Sequence, residues 1–154
     1  MNSAAIGGEL CGKIGGERLG VLISAGGRSA MNIHEACMSG ELGDARIAIV
    51  IAHREEIEGV TRCRAAGLRV AVLAQGDAQA DALDDRIDAA LTAAKVDLVC
   101  LAGYLRHFRV GERWRGRTLN IHPGLLPDFG GPGMFGLHVH RAVLAAGSSQ
   151  SGCT

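Results

Sequence analysis

Short apolar runs alternate along this chain with stretches whose apolar positions recur at helical spacing, a pattern that predicts βαβ units around a parallel sheet. Residues 19–24 (LGVLIS) read as a first strand that runs straight into Ala25, Gly26, Gly27, Arg28 and Ser29. Ser29 is placed to cap a helix carrying Met31, Ile33, Cys37 and Met38. Residues 45–52 (ARIAIVIA) form a second strand, β-branched and apolar on both faces, as a buried parallel strand requires. A helix over 55–66 places Ile57, Val60 and Cys63 on one side, with Gly67 as its C-terminal stop. A third strand follows at 68–73. Residues 80–95 give the clearest helix, with Leu83, Ile87, Ala90, Leu91 and Ala94 on one face. Residues 96–101 (VDLVCL) make a fourth strand, 118–122 (TLNIH) a fifth ended by Pro123, and 138–146 a last helix.

The predicted architecture is an open, doubly wound, Rossmann-like α/β domain, mostly parallel, with helices on both faces. Ligands of such sheets sit outside the carboxyl ends of the strands. Three segments fall there, at 24–29, 102–108 and 120–127.

Composition narrows the function classes. The chain is 47% hydrophobic but only 3% aromatic, so its core is built from Ala, Val, Leu and Ile. Sixteen basic residues balance 16 acidic ones, which leaves no basic footprint for nucleic acid or an anionic membrane. The five cysteines, Cys11, Cys37, Cys63, Cys100 and Cys153, are odd in number and widely spread, without a CxxC pair. That argues against a disulfide framework or a zinc site and fits a reducing cytoplasm. Residues 1–17 lack the apolar core of a signal peptide and read as a loose leader; residues 18–154 read as one domain. No stretch approaches the ~18 apolar residues of a membrane span.

The first candidate segment offers Gly26, Gly27, Arg28 and Ser29 between a strand and a helix. Glycines let backbone N–H groups approach an anion, the helix start adds its positive end, and Arg28 adds charge, so a phosphate is the natural ligand. It is neither GxGxxG nor GxxxxGK[ST], so no dinucleotide or P-loop nucleotide is indicated. A tight turn without a ligand fits the same residues. In the third strand-end segment, Asn120 and His122 lie two apart in an extended stretch and share a face, with Pro123 holding His122 extended. An amide beside an imidazole suits acyl transfer, since the pair stabilises an oxyanion and the imidazole moves a proton near neutral pH. A packed histidine at a strand end is the plainer reading. Leu105, Arg106, His107 and Phe108 follow the fourth strand and either wall a pocket for a flat heterocycle or begin a helix packed on the sheet. His138 and His140 lack a neighbouring carboxylate or thiol, so no metal is expected. His34 and His53 read as surface or packing residues. Asp81, Asp84, Asp85 and Asp88 read as a solvated helix face.

Taken together, 21–29 (VLISAGGRS), 96–108 (VDLVCLAGYLRHF), 119–129 (LNIHPGLLPDF), 133–147 (GMFGLHVHRAVLAAG) and 151–154 (SGCT) resemble the glycinamide ribonucleotide formyltransferases, also called phosphoribosylglycinamide formyltransferases or glycinamide ribonucleotide transformylases. The NIHP…LLP stretch is shared with other 10-formyltetrahydrofolate enzymes, and the glycine loop ahead of it favours the ribonucleotide enzymes. The resemblance implies direct attack of the glycinamide ribonucleotide amine on the formyl group of 10-formyltetrahydrofolate, as a step of purine synthesis. It implies that Asn120 hydrogen-bonds the oxyanion and that His122, as imidazolium, stabilises it and donates a proton. Gly26, Gly27, Arg28 and Ser29 would hold the substrate phosphate. Leu105, Arg106, His107, Phe108 and Asn120 would contact the folate, with no metal. The resemblance also places the family's essential Asp and last strands beyond Thr154, so an incomplete N-terminal α/β domain is expected, whose open sheet edge favours self-association. Hydrolysis of 10-formyltetrahydrofolate and a non-catalytic ligand-binding role are the alternatives.

Overall fold

The computed structural model describes residues 16–74 and 80–154. Most of the expected leader, and Cys11, lie outside the described residues. Among the described residues the strands are β1 (Arg18–Ile23), β2 (Arg46–Ala52), β3 (Val70–Val72), β4 (Leu98–Leu101) and β5 (Thr118–Asn120). The helices are α1 (Arg28–Met38), α2 (Glu58–Ala65), α3 (Ala80–Ala93) and α4 (Leu137–Ala145). The sheet runs in the order β3-β2-β1-β4-β5. β1 pairs in parallel with β2 and β4, and β2 with β3. Chain order therefore reverses between β1 and β4, the switch point at which a crevice opens in doubly wound sheets.

The chain divides into two compact units, the first ending at Thr118 and the second running from Leu119 to Thr154. In the first unit both sheet faces are covered. Alternate residues of β1 and β2 point to opposite sides: Leu22, Ile49 and Ile51 pack with Leu83, Ile87 and Leu91 of α3. Val21, Ile23, Val50 and Ala52 pack with Ala30 of α1 and with Val60 and Cys63 of α2. Burial on both sides is why β2 reads as an unbroken apolar run. Each fully buried Leu or Ile contributes about 1.5–3 kcal/mol.

Several ends differ from the sequence reading, for local reasons. Ser29 is not the cap of α1: Gly27 is, in a left-handed conformation (φ 68°), and no side chain caps it. Met38 at the end of α1 is 75% exposed rather than part of its apolar face. Gly67 does follow the end of α2 with φ 77° and donates its N–H to the Arg64 carbonyl. α3 stops at Ala93 because Lys95 turns left-handed (φ 53°), and its N–H and that of Val96 return to the carbonyls of Thr92 and Leu91. β5 stops at Asn120, since the next backbone pairing, at His122, is with Thr154. No helix begins at 102–108.

The aspartates of α3 are more than a solvated face. Asp84 is buried. Asp88 accepts the indole N–H of buried Trp114 at 2.6 Å, and Asp85 pairs with Arg109 at 2.5 Å. Asp81 lies outside the residues whose side chains are described.

Candidate active site

In the first unit the candidates gather at the switch point. Ser24, directly after β1, is buried, and its Oγ accepts the N–H of Leu105, in the segment that follows β4, at 2.9 Å. That bond brings the glycine turn and the 102–108 segment together.

The turn from Ala25 to Gly27 is held from behind. The Ala25 carbonyl accepts the N–H of Gly59 at 3.0 Å, the Gly26 carbonyl accepts Nη1 of Arg62 at 2.6 Å, and the Gly27 carbonyl accepts the N–H of Met31 at 3.0 Å. Gly27 needs no side chain twice over, because a Cβ there would also stand 2.8 Å from the Gly59 Cα. With no side-chain cap, the first N–H groups of α1 have no partner within the helix. Together with the helix dipole they form an anion-binding end. Gly26 is half-buried, whereas Arg28 and Ser29 are exposed at that end. Gly59 and Arg62 escape the sequence reading. The one signal for them is a glycine inside an otherwise helical pattern, which marks a close backbone approach.

Beyond β4, Arg106 and His107 line a pocket of about 190 Å³ with Leu83 and Asp84 of α3. Leu105 is exposed, and Phe108 is buried in the α3-side core, so these four neighbours do not share one environment. Tyr104 is buried, and its ring meets His53 edge-on at 6.4 Å. Among the described residues neither the Tyr104 hydroxyl nor Nδ1 of His53 has a hydrogen-bond partner. Burial, reinforced by the charges of Arg54 and Arg106, pulls the His53 pKa below its ordinary 6.5, against a smaller upward pull from the Ile23 carbonyl. Burial also raises the Tyr104 phenol; Arg106 opposes this and Asp84 adds to it.

In the second unit, His122 is fixed at backbone and ring. Its N–H donates to the Thr154 carbonyl at 2.8 Å, and its carbonyl accepts the Thr154 N–H at 3.0 Å. The Thr154 hydroxyl donates to the Gly124 carbonyl at 3.0 Å and accepts the Leu126 N–H at 3.2 Å. The ring nitrogen Nε2 stands 2.8 Å from the Phe129 carbonyl. A carbonyl only accepts, so Nε2 carries the hydrogen and Nδ1 is the nitrogen left for proton exchange. Asn120, two residues earlier, is exposed at the end of β5. His138 and His140 are exposed on α4, and no group of three metal-ligating side chains converges among the described residues.

Residues 17–154 match the family model described as formyl transferase. The chain belongs to the formyl transferase family. It is 37% identical over 144 residues to the chloroplastic phosphoribosylglycinamide formyltransferase of Arabidopsis thaliana, covering 90% of this chain and 48% of that protein. Among solved structures it resembles glycinamide ribonucleotide transformylase 1 from Symbiobacterium toebii (38% identity, TM-score 0.78, 90% of this chain and 64% of that one). It is equally similar in fold to the phosphoribosylglycinamide formyltransferase of Brucella melitensis (36% identity, TM-score 0.78, 90% and 70%). The chain thus spans about half the length of its plant relative. No helix among its described residues is long and apolar enough to cross a membrane.

Proposed function

We propose that this chain carries the formyl transfer of glycinamide ribonucleotide formylation, a step of purine synthesis, acting in the cytoplasm with 10-formyltetrahydrofolate as co-substrate. The observation that carries the reading is the family match over residues 17–154, joined to an uncapped helix start behind a glycine turn suited to a phosphate. In this reading the backbone N–H groups of Gly26, Gly27, Arg28 and Ser29 hold the ribose phosphate. Leu105, Arg106, His107 and Phe108 contribute to the folate side. The substrate amine attacks the formyl carbon, and a new C–N bond replaces the bond to N10 of the folate. Asn120 donates to the oxygen that becomes negative, and also contacts the folate. His122, protonated on both nitrogens, stabilises that oxygen and passes the Nδ1 proton to the departing N10, while the amine gives up a proton in turn. Keeping Nε2 on the Phe129 carbonyl fixes the ring plane for this task.

The test is a mass-spectrometric product assay with 10-formyltetrahydrofolate, run with and without glycinamide ribonucleotide. Formylglycinamide ribonucleotide above the enzyme-free rate, lost in His122→Ala, is the expected result. Formate release that ignores the ribonucleotide would replace the transferase reading with a hydrolase. Binding of both ligands without any product would leave a non-catalytic binding role.

A further inference from the structure

The three anchored carbonyls of the glycine turn have a shared consequence. In a planar trans peptide the C=O of one residue and the N–H of the next point in opposite directions. Holding the carbonyls of Ala25, Gly26 and Gly27 therefore aims the N–H groups of Gly26, Gly27 and Arg28 the other way. Two of the three anchors are backbone groups, Gly59 N–H and Met31 N–H. The middle one is a side chain, the guanidinium of Arg62 on the second turn of α2. The same guanidinium pairs with Glu58 one turn earlier, which keeps it extended toward the glycine turn. Glu58, Gly59 and Arg62 thus form one patch of α2 behind the turn.

Glycine makes this peptide easy to rotate, since neither Gly26 nor Gly27 has a Cβ to resist it. If the Gly26 carbonyl were released, the 26–27 peptide could turn its oxygen where its N–H now points, and an oxygen repels an anion. A charged donor at 2.6 Å is a strong restraint against that rotation.

We propose that Arg62 is a positioning residue for phosphate recognition: by holding the Gly26 carbonyl it keeps the Gly27 N–H aimed at the anion, without touching the ligand itself. This rests on the reading of the glycine turn as the substrate's phosphate site.

The test uses calorimetric binding of glycinamide ribonucleotide and of its dephosphorylated riboside to the whole chain, with 10-formyltetrahydrofolate as a third ligand. Arg62→Met should weaken the ribonucleotide roughly tenfold, the loss of one charge-assisted hydrogen bond. The riboside and the folate should bind as before, and Arg62→Lys should recover much of the loss. As a second readout, inorganic phosphate titrated into ¹⁵N-labelled protein should shift the Gly27 and Arg28 amide signals in the wild type, and the Gly27 shift should vanish in Arg62→Met. Wild-type affinity for the ribonucleotide in Arg62→Met overturns the proposal, as does an equal loss for all three ligands, which would mark Arg62 as merely structural. A wild-type chain that does not prefer the ribonucleotide over the riboside overturns the phosphate-site reading itself, and this proposal with it.

Discussion

At the scale of single residues, side-chain chemistry is legible in the sequence while protonation and partners are not. His122 stands out because Pro123 keeps it extended and Asn120 lies two positions before it. Nothing in the sequence tells which ring nitrogen keeps the proton; the Phe129 carbonyl decides that. His53 makes the contrast plain. By spacing alone it reads as a surface or packing residue after β2; it packs edge-on against Tyr104, with a buried, unpartnered nitrogen among the described residues. Its pKa is depressed in the fold, so between that value and the ordinary 6.5 the unfolded chain binds more protons than the native one. Stability contributed here is present above the ordinary value and is lost as pH falls through the window below it. The melting temperature should accordingly drop on acidification from pH ~7 toward ~5, and His53→Gln should reduce that drop; equal drops in both proteins would refute the assignment.

Elements were readable where the hydrophobic period was long, and least so at their ends. α3 shows its buried stripe over four turns, but Lys95 ends it by adopting a left-handed conformation that propensity disfavours. The sequence predicts a serine cap for α1, which instead starts on Gly27. The reason lies in a different element: α2 approaches so closely that only glycines fit at 27 and 59. A methyl group at Gly59 would stand 2.6 Å from the Ala25 carbonyl oxygen and 3.0 Å from the Gly27 nitrogen, both backbone atoms that cannot step aside. Gly59→Ala should therefore cost about 1–3 kcal/mol in urea denaturation, and anion affinity should fall with it. Exposed Thr61 on the same helix serves as control, where alanine should stay within about 0.5 kcal/mol. If both variants unfold at the same urea concentration, the two backbones are not in contact as described.

For the molecule as a whole, the sheet separates two apolar clusters in the first unit, one under α3 and one under α1 and α2. Leu91 is fully buried in the former and Val60 in the latter. Leu91→Ala should destabilise by about 2–5 kcal/mol. Because the two residues sit in different clusters, combining Leu91→Ala with Val60→Ala should give the sum of the single effects within about 0.5 kcal/mol. A larger coupling energy in the double-mutant cycle would mean that the faces communicate through the sheet.

Local pattern suffices for the α/β class, for the strands in their order along the chain, for the Leu83–Ile87–Leu91 stripe of α3, and for the glycine turn and the Asn120–His122 pair as candidates. These follow from periodicity and from the backbone demands of Gly and Pro, which act over a few residues. Tertiary structure alone decided the strand order and its switch point, the burial of Asp84 and its neighbours' use as anchors for Trp114 and Arg109, and the bracing of the turn by Gly59 and Arg62. Each of these joins groups 20 or more positions apart in sequence: Arg62 and Gly26 are 36 apart, and Trp114 and Asp88 are 26 apart. No local period encodes such a meeting, because it depends on which faces the sheet brings together when both are buried at once.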